Sequence, residues 1–250
     1  MRPQADPPAA VAALLAALCP AILLLRVCGR VEIGSSTLVR IGGRFLLATA
    51  AHNLDDAREE EIRLVPSGRT FASAVPLVRR SLPRRGDPSD VAWVELAAET
   101  VANHGLGFVD ASALGWNGER PGDLCFLVQG YPAEHVLRDG VGYGLAAMGF
   151  VTLAAGQRPG DLSVLYPPPA GAAEPEGWRP PHPHGISGGG IWSTPRAGGD
   201  SWRHATRLVG IARGWRRRRG TLHATPIEAW LARVAADLPE LRGALTVHAG

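Results

Sequence analysis

The sequence is poor in cysteine and contains no lysine. Its cysteines, Cys19, Cys28 and Cys125, are odd in number, and their spacing matches neither a metal motif nor a disulfide framework. All 26 of its basic side chains are therefore arginine, and the formal net charge is only +3. This balance implies no strongly charged partner, and we expect no nucleic-acid partner, no metal and no cofactor.

A long uninterrupted apolar stretch is also missing. The run from Ala9 to Leu25 is marginal in length for a bilayer span, and Pro20 lies within it, so we expect no membrane partner. A secretory signal over residues 9–25 is the alternative. The charge before the run is only Arg2 with Asp6 nearby, and small residues do not align at a cleavage site. Together with the odd cysteine count, this favours a cytoplasmic over a secreted protein.

Turn-forming residues, by contrast, are abundant. The 250 residues include 31 glycines and 21 prolines, which favours an all-β chain with many turns over one built from long helices. We expect a Pro/Ala-rich segment with a short helix over residues 1–21 and a loose tail over 239–250. A C-terminal helix is predicted over 226–238, with Thr225 as its N-cap and Glu228 completing a capping box.

A serine among glycines marks the most informative stretch. Ser187 lies in the run from His184 to Trp192, where a hydroxyl on a glycine-rich backbone suits nucleophilic acyl transfer. A glycine-rich hairpin turn would be the simpler interpretation. A serine nucleophile needs a base and an acid that orients it, and the chain offers His52, directly after an apolar run, and Asp90, directly before one. Taken singly, His52 could be a core histidine and Asp90 a turn cap.

These motifs together resemble the trypsin-like serine proteases. The resemblance rests on Thr49-Ala50-Ala51-His52, on Asp90-Val91-Ala92 and on Gly185-Ile186-Ser187-Gly188-Gly189, in the His, Asp, Ser order of that fold. It implies two antiparallel β-barrels with a C-terminal α-helix. The peptidase domain would span residues 22–238, with the first barrel at about 22–115 and the second at about 120–226.

The resemblance also implies a role for each site residue. Ser187 would be the nucleophile, His52 the general base and Asp90 the residue that orients His52. The backbone N–H groups of Gly185 and Ser187 would form the oxyanion hole. Substrate-binding positions fall on Pro181, Arg213, Gly214 and Trp215.

Two departures from the family pattern bear on activation and specificity. Ile186 stands where many secreted members have an aspartate that pairs with a new N-terminus, so this chain cannot use that switch. Arg213-Gly214-Trp215 replaces the usual Ser-Trp-Gly, and Pro181 leaves the base of the pocket uncharged, so cleavage specificity is not readable.

The function implied is a serine endopeptidase acting on a protein or peptide substrate. Two alternatives stay open, a low-turnover peptide-binding or sensor module on the same fold, and an esterase-type serine hydrolase. The basic run Arg216–Arg219 is interpreted as a solvated hairpin tip, with a patch for an acidic ligand or nucleic acid as its alternative. Nothing in the sequence assigns an oligomeric state.

Overall fold

The computed structural model describes residues 21–25, 31–55, 62–65, 73–74, 77–81, 87–104, 106–115, 124–138, 143–145, 147–158, 161–167, 181–195 and 206–246. Within these ranges the strands are β1 Ala21–Leu25, β2 Val31–Ser35, β3 Thr37–Ile41, β4 Arg44–Ala50, β5 Ile62–Val65, β6 Ser73–Ala74, β7 Leu77–Arg80, β8 Val91–Leu96, β9 Val109–Asp110, β10 Leu124–Gly130, β11 Val136–Arg138, β12 Tyr143–Leu145, β13 Met148–Thr152, β14 Ala154–Arg158, β15 Asp161–Leu165, β16 Gly190–Pro195, β17 Arg207–Arg216 and β18 Thr221–Pro226. The helices are α1 Ala98–His104, α2 Ile227–Asp237 and α3 Arg242–Thr246.

The first half of the chain forms two small sheets around one apolar core. One has the order β2-β1-β5-β6 and the other β7-β8-β4-β3-β9. Strands β3 and β4 form a hairpin that turns at Gly42 and Gly43, whose φ values of 54° and 78° suit glycine. The core between the sheets includes Leu38, Leu64 and Val94.

The second half forms a seven-stranded sheet that closes on itself. Its order is β13-β10-β16-β17-β18-β15-β14. The two edge strands, β13 and β14, are consecutive in the chain and only Leu153 separates them, so the sheet must curl until its edges meet. Its interior is lined by apolar side chains including Phe126, Val164 and Ile191. The predicted all-β fold with two antiparallel barrels is confirmed.

The C-terminal helix α2 joins the two barrels. Trp230 and Val234 are fully buried among side chains of both halves, and the indole N–H of Trp230 donates to the carbonyl of Ala92 in β8 at 3.0 Å. The helix is present as predicted, but its predicted cap is wrong. Pro226 precedes the helix with no side-chain cap, and Thr225 belongs to β18, where its hydroxyl donates to the carbonyl of Ser89.

Two further segments differ from the sequence prediction. Residues 239–250 were expected to be a loose tail, but Pro239–Leu241 form a 3-10 turn followed by α3, and Leu241 is buried against α2. Helix α1 was not predicted from the sequence, and it forms directly after β8. The predicted N-terminal helix lies outside the described residues. None of the described helices is long and apolar enough to cross a membrane.

Candidate active site

His52 and Asp90 lie at facing ends of two paired strands. His52 sits in the 3-10 turn Ala51–Asn53 that directly follows β4, and Asp90 directly precedes β8. Because β4 and β8 are antiparallel neighbours, with Ala50 opposite Val91, the end of one strand meets the start of the other. Asp90 has a φ of +45°, a region that aspartate tolerates better than most residues do.

Asp90 makes two hydrogen bonds to His52. One carboxylate oxygen accepts the backbone N–H of His52 at 3.0 Å, and the other lies 2.8 Å from Nδ1 of the ring. An ionised carboxylate can only accept, so Nδ1 carries the proton and the lone pair of the neutral ring is on Nε2. The ring is therefore in the tautomer that a general base requires.

The carboxylate also shifts the protonation equilibrium of the His52 ring. Its hydrogen bond raises the pKa of His52 above the ordinary value, and the charges of Asp90 and Asp55 act in the same direction. Burial of the ring opposes these effects by disfavouring the charged form. The imidazolium of His52 therefore persists to a higher pH than that of a histidine without such partners.

An NMR titration of His52 is expected to have a midpoint above about 6.5, the ordinary histidine value. Asp90→Asn should lower that midpoint, because it removes the leading cause of the raised pKa, whereas Asp55→Asn should lower it only slightly. Ring resonances followed from pH 4 to 9 in the three proteins provide the measurement. A midpoint unmoved by Asp90→Asn would contradict the assignment of cause.

Ser187 lies in a loop that the first barrel holds by two carbonyls. The carbonyl of Ser187 accepts the backbone N–H of Ser35 at 2.8 Å and the side-chain amide of Asn53 at 2.7 Å. The hydroxyl of Ser35 donates to the carbonyl of Gly185 at 2.7 Å. Since Asn53 adjoins His52, these bonds tie the Ser187 loop to the turn that carries the histidine.

Two further bonds orient the peptide groups that precede Gly185 and Ser187. The carbonyl of His184 accepts the N–H of Ala133 at 2.7 Å, and the carbonyl of Ile186 accepts the N–H of Gly189 at 2.9 Å. In a trans peptide the N–H points opposite to the carbonyl, so the N–H groups of Gly185 and Ser187 point away from these anchors. Within the described part of the chain, neither of these two N–H groups donates a hydrogen bond.

Two glycines of this loop cannot be replaced without a collision. Gly185 has a φ of +93°, and a Cβ there would lie 2.4 Å from the carbonyl oxygen of Tyr131. Gly188 has a φ of +94°, and a Cβ there would lie 1.9 Å from the carbonyl oxygen of Ser35. The glycines of the motif thus allow the backbone to pass close to both barrels. Ile186 between them is buried in the core of the second barrel.

Ser35 and Asn53 are site residues that sequence reasoning did not find. Asn53 is the residue that follows the histidine, and Ser35 lies within a strand with no motif of its own. Ser35 is fully buried, and its hydroxyl also accepts the backbone N–H of Tyr131 at 2.8 Å. The signal available in the sequence was a serine beside a glycine, Gly34-Ser35, in a segment with the pattern of a strand.

Ser35→Ala is expected to reduce the free energy of unfolding by about 1–3 kcal/mol, because it leaves the N–H of Tyr131 and the carbonyl of Gly185 buried without this partner. Urea denaturation measures the change. Ser193→Ala is the matched control, since Ser193 is equally buried in a strand and no hydrogen bond of its hydroxyl is recorded within the described residues. Equal losses in the two variants would contradict the role given to Ser35.

A pocket of about 190 Å³ opens beside Ser187. Its lining consists of His182, Pro183, His184, Ile186, Ser187, Ala212, Gly214, Trp215 and Leu222. Gly214 and Trp215, two of the predicted substrate-binding residues, are among them. Pro181 and Arg213 are not. The carbonyl of Pro181 accepts the hydroxyl of Tyr166, and Arg213 points to Asp161 and the carbonyl of Pro88.

A second cluster of His, Asp and Ser residues lies elsewhere in the second barrel. The Nδ1 atom of His223 is 3.0 Å from both carboxylate oxygens of Asp161 and 3.2 Å from the hydroxyl of Ser163. A nucleophile and an orienting acid must use opposite nitrogens of the ring, so Ser163 cannot serve as the nucleophile of such a set. The hydroxyl of Thr221 lies 3.1 Å from the opposite nitrogen of the same ring, Nε2 of His223. Thr221 belongs to β18, which is paired on both sides, with β15 and β17.

The described residues contain no cluster of three or more His, Cys, Asp or Glu side chains that could hold an ion. Cys125 is the one cysteine within the described ranges, and it is buried. The groups that the candidate site brings together are a hydroxyl, an imidazole, a carboxylate and two backbone N–H groups.

Comparison with solved structures identifies the architecture. A serine endoprotease from Yersinia pestis superimposes with a TM-score of 0.54 at 19% identity, over 90% of this chain and 63% of that one. The HtrA-type protease AlgW, solved with a tripeptide, gives 0.53 at 20% identity, over 92% of this chain and 64% of that one. The chain has the trypsin-like fold. Its length spans just under two thirds of these two proteins.

A mycobacterial protein with the trypsin-like fold matches over more of its own length. The active form of the Rv3671c protease from M. tuberculosis superimposes with a TM-score of 0.52 at 16% identity, over 92% of this chain and 86% of that one. No family model and no curated protein sequence matches the chain. At these identities the likeness establishes the fold, and the chemistry has to be argued from the site.

Proposed function

We propose that the protein is a serine endopeptidase that cleaves peptide bonds through an acyl-enzyme on Ser187. The observation that carries the proposal is the pair of hydrogen bonds from Asp90 to His52, in a turn bonded through Asn53 to the Ser187 loop. Solved structures with the same fold include serine proteases, which agrees with the assignment.

His52 would move the proton in both halves of the reaction. Its Nε2 takes the proton of the Ser187 hydroxyl as the oxygen attacks the substrate carbonyl, because a serine hydroxyl is a weak nucleophile at neutral pH. The same proton then passes to the leaving amine as the peptide bond breaks. Water repeats the sequence on the acyl-enzyme and releases the acid product. Asp90 keeps the ring oriented and stabilises the imidazolium in each step.

The N–H groups of Gly185 and Ser187 would stabilise the negative charge that develops on the carbonyl oxygen. Their orientation is supported by the anchored carbonyls of His184 and Ile186, which hold each peptide plane before substrate binds. Donors fixed in advance need no reorganisation during the reaction. Loss of one such donor costs about 10²–10³ in kcat in enzymes of this kind.

The pocket beside Ser187 favours an apolar side chain on the acyl side of the cleaved bond. Ala212, Trp215 and Leu222 contribute apolar surface, and its described lining contains no carboxylate or guanidinium that would pair with a charged substrate residue. His182 and His184 are exposed at its edge. We therefore expect products whose new C-terminus is a residue such as valine, leucine or methionine.

The first experiment is labelling of the purified protein with a fluorophosphonate, with Ser187→Ala as control. We expect one label per chain, located on Ser187, and none in the variant. Absence of label from the unmodified protein would favour the peptide-binding module and overturn the proposal.

The second experiment separates a protease from an esterase. A peptide library is digested at pH 8, and the new C-termini are identified by mass spectrometry. We expect cleavage after apolar residues. Hydrolysis of simple esters with no peptide products would make the protein an esterase, and cleavage after arginine or acidic residues would contradict the interpretation of the pocket.

A further inference from the structure

The turn that carries Asp90 belongs to the first barrel, yet side chains of the second half hold it at successive residues. Arg213 in β17 donates to the carbonyl of Pro88, and Thr225 in β18 donates to the carbonyl of Ser89. Arg233 in α2 lies 3.4 Å from the Asp87 carboxylate. Each of the three residues before Asp90 is therefore bonded to the other half of the chain.

Arg213 is placed for this contact by an irregularity in its strand. The pairing of β17 with β18 shifts between Ala212 and Gly214, so that Arg213 has no partner in the register. Such a bulge changes the direction of the side chain it carries. The guanidinium reaches the Asp90 turn on one side and the Asp161 carboxylate, at 2.6 Å, on the other.

Asp161 is itself held as an anion. Partial burial raises its pKa, but hydrogen bonds from Arg213 and His223 outweigh that effect, and the pKa of Asp161 is lower than its ordinary value. Arg213 and Asp161 are both mostly covered, with 20% and 21% of their side chains exposed. Limited water access makes such a pair more rigid than a surface ion pair.

Asp90 needs a rigid turn because of its own backbone. A non-glycine residue at a φ of +45° is in a sparsely populated region and stays there only when its surroundings fix it. Bonds within the turn contribute, since the N–H of Asp90 donates to the carbonyl of Asp87 at 3.2 Å and the N–H of Ser89 donates to the Asp87 carboxylate at 2.9 Å. The bonds from Arg213 and Thr225 supply further restraint from outside the turn.

We propose that Arg213 is a positioning residue for catalysis: braced by Asp161, it fixes the turn that presents Asp90 to His52. The inference rests on the proposed function, since the position of Asp90 affects catalysis only if His52 is a general base. It replaces the substrate-binding role that the family resemblance implied for Arg213, whose guanidinium is directed at the turn and not at the pocket.

The test compares Arg213→Met with Arg216→Met. Methionine keeps most of the apolar stem and removes all donors, and Arg216 is the matched control because it is exposed and no side-chain partner is recorded for it among the described residues. We expect Arg213→Met to lower kcat for a library-derived peptide by about 10- to 100-fold, the scale of a small misplacement at a catalytic group. KM should stay within about twofold, and Arg216→Met should match the unmodified protein.

Two readouts separate positioning from a general loss of stability. On the acid side of the pH profile of kcat/KM, the midpoint should fall to a lower pH in Arg213→Met. The reason is that a weaker hydrogen bond from His52 to Asp90 reduces the main cause of the raised pKa of His52. The Arg213→Met change should also cost little more once Asp90→Asn is present, since the two would act through one group. Additive losses, an unmoved midpoint, or a raised KM with unchanged kcat would each overturn the proposal.

Asp161→Asn and Arg213→Lys keep the test decisive if Arg213→Met does not fold. Lysine retains one donor for the carbonyl of Pro88 and should recover part of the rate, whereas Asp161→Asn should lower kcat in the same direction as Arg213→Met but less. Unchanged rates in both would overturn the inference. Failure of the proposed function is a separate outcome, since the unmodified protein would then not be labelled on Ser187.

Discussion

Peptide hydrolysis is expected to fall about 10⁶-fold when Ser187 is replaced by alanine, the scale on which serine proteases lose kcat without their nucleophile. The expectation follows from the N–H groups of Gly185 and Ser187, which donate no hydrogen bond within the described residues, and from the neighbouring turn, whose histidine is held by a carboxylate. With the hydroxyl gone, His52 has no proton to accept and no acyl-enzyme can form. Residual turnover would come from the oxyanion donors and substrate binding alone.

Ser163→Ala is the matched control for this experiment. Ser163 lies 3.2 Å from Nδ1 of His223, so a general effect of removing a serine hydroxyl from this barrel would appear in both variants. We expect its rate to stay within about twofold of the unmodified protein, as for a change of under about 0.5 kcal/mol in the barrier. Single-turnover rates of acylation, measured with an activated ester and a peptide, give the comparison. A comparable loss in Ser163→Ala would contradict the assignment of Ser187.

The meeting of His52 and Asp90 was predictable, and so was the glycine-rich loop of Ser187, because each candidate residue stands at a boundary visible in the sequence. His52 follows an apolar run, Asp90 precedes one, and Ser187 lies among glycines. Those boundaries become strand ends, and the ends of antiparallel neighbours meet, as Ala50 and Val91 do. The all-β fold was predictable for a related reason, since turn residues and short apolar runs alternate along most of the chain.

Contacts between the two halves could not be predicted, because sequence patterns report local structure and these contacts join distant segments. Thr225 satisfies the N-cap pattern, yet its hydroxyl bonds Ser89, which is 136 residues away in the sequence. Leu241 was placed in a tail because the helical period ends before it, whereas burial against α2 orders the segment. Arg213 was predicted to bind substrate because of its position in a family motif. It lies at a bulge in β17, and its side chain contacts Asp161 and the carbonyl of Pro88.

The final prediction concerns which aspartate of the 87–90 turn serves His52. Asp90→Asn is expected to lower kcat by about 10⁴-fold, the loss that follows from the wrong tautomer in a serine protease. Asparagine suits the test because it also tolerates the φ of +45° at this position, so the backbone need not move. Its amide NH₂ can donate to Nδ1, and a ring that accepts there carries its proton on Nε2, where it cannot take one from Ser187.

Asp87→Asn is the matched control, since the same chemical change is made in the same turn. One oxygen of Asp87 accepts the backbone N–H of Ser89 at 2.9 Å and its hydroxyl at 2.6 Å, and asparagine keeps an oxygen that can accept both. The weak pair with Arg233 is lost, so we expect a fall of only about threefold. Acylation rates of Ser187 measured side by side decide between the two. Equal rates, or a collapse in Asp87→Asn alone, would overturn the assignment of the orienting role to Asp90.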